Sequence, residues 1–266
     1  MKTKLPILII IPHGGREVPD ELSGYEQIDE FGIFIESDAY ANRLFNFEDA
    51  AVKTDTSISR LFVDMDRPPL SSHDYPDGII KKESLNGRKI FKESIFPDEI
   101  AISNIIRRYY QPFHDSIREV IHNGEIKLII ECHTMMPVGP RYAKDAGRPR
   151  PIINVENIIK NEIRTIRTCP TESAENFLSC FKKYFNNEEF TVSEKFSLNK
   201  QDSTGYILQT YGQNKIPMLK LSISTSLYLN DKYFNYDTLA VDNLRIEELR
   251  KKIWAGIERY SEKYLR

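Results

Sequence analysis

The stretch "ILIIIPHGG", Ile7–Gly15, decides the fold. An unbroken aliphatic run enters Pro12, His13 and two glycines. Short, β-branched and bounded by Pro and Gly, it reads as a strand buried on both faces. Two more runs have the same character: "KLIIECH" (Lys127–His133) and "MLKLSIS" (Met218–Ser224). "RLFVDMD" (Arg60–Asp66) alternates and stops at Arg67-Pro68-Pro69, as a strand entering a loop would. "RPIINVEN" (Arg150–Asn157) and "TVSEKFSL" (Thr191–Leu198) are read as shorter strands.

Helical periodicity fills the intervals. "ESDAYANRLFNF" places Tyr40, Leu44 and Phe47 at helical spacing, with Ser37 or Asp38 as cap. Pro97 to Asn123 is the longest such pattern; Asn123-Gly124 stops it, and Pro112 is expected to kink or split it. Further helices are expected from Thr171, a possible cap, to Asn187, and from Asn243 to Lys263. The segment from Leu70 to Phe96, rich in Ser, Asp, Pro and Gly, reads as a long functional loop. Alternation of strands and helices implies an α/β class with a mixed, largely parallel sheet. With no repeat, low-complexity tract or linker, residues 1–266 are read as a single domain.

Composition narrows the function. The chain has 266 residues, 40% hydrophobic and 29% charged, with net charge −2 and no long block of one sign. That balance argues against a nucleic-acid partner. The N-terminal apolar run is too short to span a membrane and has no small-residue cleavage site, so no membrane association or signal peptide is expected. Cys132, Cys169 and Cys180 have neither paired spacing nor a CxxC motif, which fits a reducing, cytoplasmic setting.

His13 and His133 both stand at the C-terminal end of an apolar run. In an open α/β sheet, ligands gather outside those strand ends. Two neighbouring strands of this kind aim two imidazoles into one pocket, and imidazole is the commonest zinc ligand. Glu131 shares a strand face with His133 and can orient the ring. The alternative for each histidine is a hydrogen-bonded structural role, and for Glu131 a core ion pair.

Six segments, "IPHGG.EVP", "SDAYANRLF", "SR.FVDMDR", "YYQPFH", "IIECHTM" and "GYILQTYG", occur in an order that resembles the N-formylglutamate amidohydrolase family, part of the zinc carboxypeptidase-like group of hydrolases. The resemblance runs from about Ile7 to Asp231. It implies a three-layer αβα sandwich and a single Zn²⁺ that serves to hydrolyse an amide next to a carboxylate, in a small N-acyl amino acid such as N-formylglutamate. Carried over residue by residue, His13 and His133 match the imidazole ligands and Asp38 the third ligand, with Glu36 as fallback. Such a set leaves one position for water. Arg60 and Arg67 are the expected grips for a small carboxylate-bearing substrate, Asp66-Arg67 standing where the group has an Asn-Arg pair; a guanidinium fork suits a planar carboxylate. For either arginine the alternative is an ion pair with Asp64 or Asp66. His114 matches a family histidine and is read as lining the pocket or as a satisfied core residue. Arg148 and Arg150 are read as anion binders or as part of a solvated loop.

One departure concerns the base. Where the family strand resembles "LQIEI", this chain reads "LKLSI", with Lys220 and Ser222 in place of Gln and Glu. A serine hydroxyl is a poor base at neutral pH. Glu17, just after the glycines, is the candidate replacement and joins Glu131 among the candidate catalytic residues. The departure also keeps two alternatives open: a metallopeptidase or cell-wall amidase on the same scaffold, and a metal- and ligand-binding protein without turnover.

Overall fold

In a computed structural model, which describes residues 4–69, 78–93, 95–123, 125–141, 143–160, 165–186, 195–199 and 205–265, the opening run forms β1 (Leu5–Ile11). Its side chains alternate between two cores. Ile7, Ile9 and Ile11 join one apolar cluster and Leu8 and Ile10 the other. A strand buried on both faces needs a layer on each side, and the rest of the chain supplies them.

Further strands are β2 (Ala50–Asp55), β3 (Leu128–Met135), β4 (Ile153–Glu156), β5 (Ile158–Lys160), β6 (Thr165–Arg167), β7 (Phe196–Asn199) and β8 (Met218–Ser224), with a short pair, Phe234–Asn235 and Ala240–Val241, near the C-terminal helix. The central sheet has the order β2-β1-β3-β8-β4-β7, while β5 and β6 form a separate hairpin. Strands β2, β1, β3 and β8 are mutually parallel; β4 runs antiparallel to β8 and carries β7 parallel to itself. The sheet is thus mixed and largely parallel, with helices on both sides, as expected.

Helix α5 (Thr171–Phe185) and helix α7 (Asn243–Tyr264) cover one face through Phe177, Phe181, Leu249 and Ile253. The other face is covered by α3 (Glu99–Ile105) and α4 (Gln111–His122), through Ile102, Ile105, Phe113 and Ile117, and by α6 (Tyr206–Tyr211). Among the described residues no helix is long and apolar enough to cross a membrane.

Local differences from the sequence reading have physical causes. "RLFVDMD" is not a strand: turns bonded to Ser59 O fold it, and Asp64 Oδ1 accepts from Asp66 N at 2.9 Å. The edge strand beside β1 is the more polar "AAVKTD" instead. A helix, α1 (Glu30–Glu36), precedes Ser37 and is capped by Asp29 onto Gly32 N; only α2 (Ala41–Leu44) follows, so Ser37 and Asp38 cap no helix. Pro112 does not break its helix. The turn before it, Ile106–Tyr110, widens to π geometry, which accommodates the missing donor and the ring. Thr171 opens α5 without capping it, and its hydroxyl accepts from Arg167 instead. The stop at Gly124, Asn187, the first residues of "TVSEKFSL" and residues 70–77 and 94 of the long loop lie outside the described residues.

One feature of the sheet positions the site. In β3, Leu128, Ile130 and Cys132 face the first core and Ile129 the second; by the same alternation Glu131 and His133 continue the second face. In β8, Met218 is followed on that face by Lys220 and Ser222. Registered pairs Glu131↔Lys220 and His133↔Ser222 place these side by side. Towards the strand C-termini, then, the second face changes from apolar to ionisable.

Candidate metal centre

The Pro12-His13-Gly14-Gly15 turn leaves β1 at this polar end. A Cβ on Gly15 would overlap the Ser57 backbone, and one on Gly14 the Asn42 side chain. Bare backbone lets residues 57–59 run against the turn, with Glu17 N donating to Ser57 O at 2.8 Å and Ser59 N to Glu17 O at 2.9 Å. The docked segment brings Asp64 under the imidazole: His13 Nε2 donates to Asp64 Oδ1 at 2.7 Å. Lys81 Nζ, at 2.5 Å, and Arg60, at 3.4 Å, meet the other oxygen, Oδ2. Although burial alone would raise it, Asp64 is held well below the usual carboxylate range by Lys81, His13 and Arg60.

The proton of His13 therefore sits on Nε2, as its hydrogen bond assigns it. Burial, and then the nearby Arg60 charge, pull this imidazole down to about 4, so it is neutral at pH 7. Its Nδ1 is buried without a hydrogen-bond partner. Asp38 Oδ2 lies 3.9 Å from that nitrogen.

Asp38 is presented by the turn after α1. Its backbone N donates to His13 O at 2.9 Å, and Tyr228 OH donates to Ala39 O at 2.6 Å. Tyr40 then takes a left-handed φ of 63°, and its hydroxyl donates to Leu239 O at 2.7 Å. Asp38 Oδ2 accepts from His133 Nδ1 at 2.8 Å and from Thr134 N at 3.2 Å. Burial would raise the Asp38 carboxyl, but the His133 charge holds it below its ordinary value. On the far side of the ring, His133 Nε2 donates to Glu131 Oε1 at 2.6 Å. Burial and Lys220 disfavour charge on His133; Asp38 and Glu131 prevail and raise it to about 9.

Ligand atoms of His13, Asp38 and His133 all lie within 4.8 Å of one another. In each imidazole Nε2 is fixed by a buried carboxylate while Nδ1 faces Asp38. That is how an imidazole is oriented for a metal. The orphaned Nδ1 of His13, the carboxylate between the rings and the two-His, one-carboxylate donor set together fit a divalent cation. Glu36, the fallback ligand, is engaged elsewhere: its carboxylate accepts from Leu85 N, Asn86 N and Asn86 Nδ2 at 3.0, 3.2 and 2.8 Å.

A second carboxylate–histidine group, Asp66, Glu131 and His133, already has its cation. Lys220 Nζ lies 3.2 Å from Asp66 Oδ2 and 3.1 Å from Glu131 Oε1. Sequence reading missed Asp64 and Lys81 as parts of the site, and it marked Lys220 as a departure without finding its partners. For Asp64 a signal existed, because "VDMD" repeats acid at the period of the Asp66 candidate.

Other candidates are not brought to the triad. Glu17 is exposed and accepts from Ser57 Oγ at 2.6 Å, because the glycine turn carries it outward. His114 is a core residue: 2% exposed, it meets Tyr211 OH through Nδ1 at 2.9 Å and Met65 O through Nε2 at 3.0 Å. Asp66 is buried, its oxygens taken by Lys220 and by Ile207 N, so it does not face a substrate. Arg67 donates from NH1 to Asp66 O at 3.1 Å. Arg60 instead lines a cavity of about 250 Å³ that also touches Asp38, Glu36, Thr134 and Arg150. Arg148 is exposed, as a solvated loop residue.

Comparison with known proteins places this geometry. Residues 5–229 match the N-formylglutamate amidohydrolase family. The chain belongs to that family. A solved N-formylglutamate amidohydrolase from Ralstonia eutropha JMP134 is similar at 14% identity, with 98% of this chain and 94% of that one covered and a TM-score of 0.69. A gene product of Agrobacterium tumefaciens is similar at 15% identity, with 97% and 92% covered and a TM-score of 0.59. At these identities the likeness is one of fold. No curated protein matches the chain. The family match takes in His13, Asp38, His133 and the whole of β8, so the chain is a member of a family of amide hydrolases in which Lys220 and Ser222 flank the candidate centre.

Proposed function

We infer that the protein is a zinc-dependent amidohydrolase that cleaves the amide of a small N-acyl amino acid, the class that includes N-formylglutamate. The observation that carries this reading is the shared design of the two histidines. Each keeps Nδ1 towards Asp38 and hands Nε2–H to its own buried carboxylate, Asp64 or Glu131. When bound at His13, Asp38 and His133, zinc supplies a water of lowered pKa and a polarised amide carbonyl.

The protein's own groups do the rest. Asp64 and Glu131 are positioning residues: each accepts its ring's Nε2–H and leaves the Nδ1 edge turned to Asp38. Glu131 is itself steadied by Lys220. Arg60 spends one contact on Asp64, and a guanidinium has five donors. From the cavity wall it grips the substrate carboxylate that stands next to the scissile amide. Thr134, Met135 and Leu229 line the same cavity and exclude water from the bound substrate.

The base position favours a second reading. Lys220 is committed to Asp66 and Glu131, Ser222 is a weak base, and Glu17 faces solvent. A protein that binds zinc and acyl amino acids but does not turn them over fits that arrangement too. Metal analysis and a hydrolysis assay decide together. Purified protein is expected to take up one equivalent of zinc and melt at a higher temperature with it. His13→Ala and His133→Ala are expected to abolish uptake, and Glu131→Gln to weaken it about 10- to 100-fold. Wild-type protein that ignores zinc would overturn the reading, whereas zinc binding without product release would establish the second one.

A further inference from the structure

We propose that the cavity beside the triad receives an apolar amino-acid side chain, so that the protein acts on N-acylated aliphatic or sulfur-containing amino acids in preference to N-acyl dicarboxylic ones. The inference rests on the triad being the reaction centre. It concerns what that centre accepts.

The cavity begins at Asp38 and Thr134, so whatever occupies it is continuous with the ligand set. Phe34, Leu85, Met135, Met136 and Leu229 form much of its wall. Methionine pairs of this kind adapt to branched or thioether side chains. At about 250 Å³ the cavity is below the usual small-molecule range, which starts at about 300 Å³, and suits one amino acid rather than a peptide.

Charge on the wall decides against a second substrate carboxylate. Among the described residues the lining cations are Arg60 and Arg150. Arg150 is forked onto Asp145, Nε to Oδ2 at 2.6 Å and NH2 to Oδ1 at 2.7 Å. Arg60 already meets Asp64, and its remaining donors serve the α-carboxylate that every such substrate carries. The other ionisable groups on the wall, Glu36 and Asp38, are acids. With Asp38 engaged by the metal, a glutamate side chain would still bury its carboxylate beside Glu36, with Arg150 matched to Asp145 and Arg60 taken by Asp64 and the α-carboxylate. An ion in that position loses its hydration without compensation. An isobutyl or methylthioethyl group carries no charge to desolvate and packs on Phe34, Leu85, Met135, Met136 and Leu229.

Titration calorimetry of zinc-loaded protein with L-leucine, L-methionine and L-glutamate, the products of the corresponding hydrolyses, tests the pocket apart from the chemistry. Leucine and methionine are expected to bind at least tenfold tighter than glutamate. Met136→Arg, which adds an unmatched cation to a partly exposed wall position, is expected to shift the ratio at least tenfold towards glutamate. Glutamate binding as tight as leucine, no binding of any of the three, or a folded Met136→Arg protein with an unchanged ratio would each overturn the proposal. Parallel assays with N-formyl-L-leucine and N-formyl-L-glutamate separate the two levels. Leucine preference in binding with no hydrolysis of either compound leaves the pocket assignment standing and removes the amidohydrolase reading. Faster hydrolysis of the glutamate compound does the reverse.

Discussion

Lys220 Nζ bridges Glu131 Oε1 at 3.1 Å and Asp66 Oδ2 at 3.2 Å, directly behind the ring of His133. An ammonium thus compensates two buried acids at once. The ion pairs and the hydrogen bond from His133 form one network, so its members are coupled.

Replacing the ammonium by an apolar chain of similar length, Lys220→Met, leaves Glu131 and Asp66 buried without it. Removing one partner of a buried ion pair costs about 3–5 kcal/mol. Urea unfolding at pH 7 is expected to show a loss of that order, and zinc affinity is expected to fall with it because Glu131 orients His133. A loss below about 1 kcal/mol, the range of an exposed pair, would show that water reaches the cluster.

The core imidazole of His114 sets an acid limit. Burial pulls it down to about 4 from an unfolded value of 6.5. Between those values the unfolded chain binds more protons, so stability is lost as pH falls from 6.5 towards 4 and is fully present above. The difference is worth at most about 3 kcal/mol. Unfolding free energies at pH 7 and pH 4 are expected to differ less in His114→Gln than in wild type by about that amount. His13 has the same sign in metal-free protein, so part of the acid sensitivity persists. An unchanged difference would mean that His114 does not titrate on unfolding.

Gly15 is fixed by proximity, since a Cβ there would meet the Ser57 backbone. Gly15→Ala must push residues 57–59 away, and with them Asp64 from His13. Overpacking of this kind costs about 1–3 kcal/mol. Thermal melting should register that loss and a zinc titration a weakened site. A melting temperature that drops while zinc affinity stays would show that Asp64 does not orient His13.

Much of this architecture was legible in the chain. Ile7–Ile11 and Leu128–Ile130 are apolar runs that only a doubly covered sheet can bury, and the match of His13 to His133 follows from two such strands lying side by side. Edge strand β2 escaped because Lys53 and Asp55 of "AAVKTD" are exposed and its polarity hides the pairing. "RLFVDMD" misled because its alternation serves side-chain ion pairs, Asp64 to Lys81 and Asp66 to Lys220, which join residues far apart in sequence. The same remoteness concealed the partners of Lys220, Asp66 and Glu131, which come from other segments. His114 carried a family position but its surroundings, Tyr110, Phe113 and Tyr211, make it a packed ring.

The turn that offers Asp38 bears on how the protein folds. Among the described residues Tyr40 and Leu239 are the non-glycine residues with left-handed φ, at 63° and 52°, and a hydrogen bond of 2.7 Å ties one to the other. Two conformations that are each disfavoured for L-residues are thus locked together across 199 positions. The turn that presents Asp38 is therefore completed by a segment near residue 240, so the geometry of the site is a product of long-range folding.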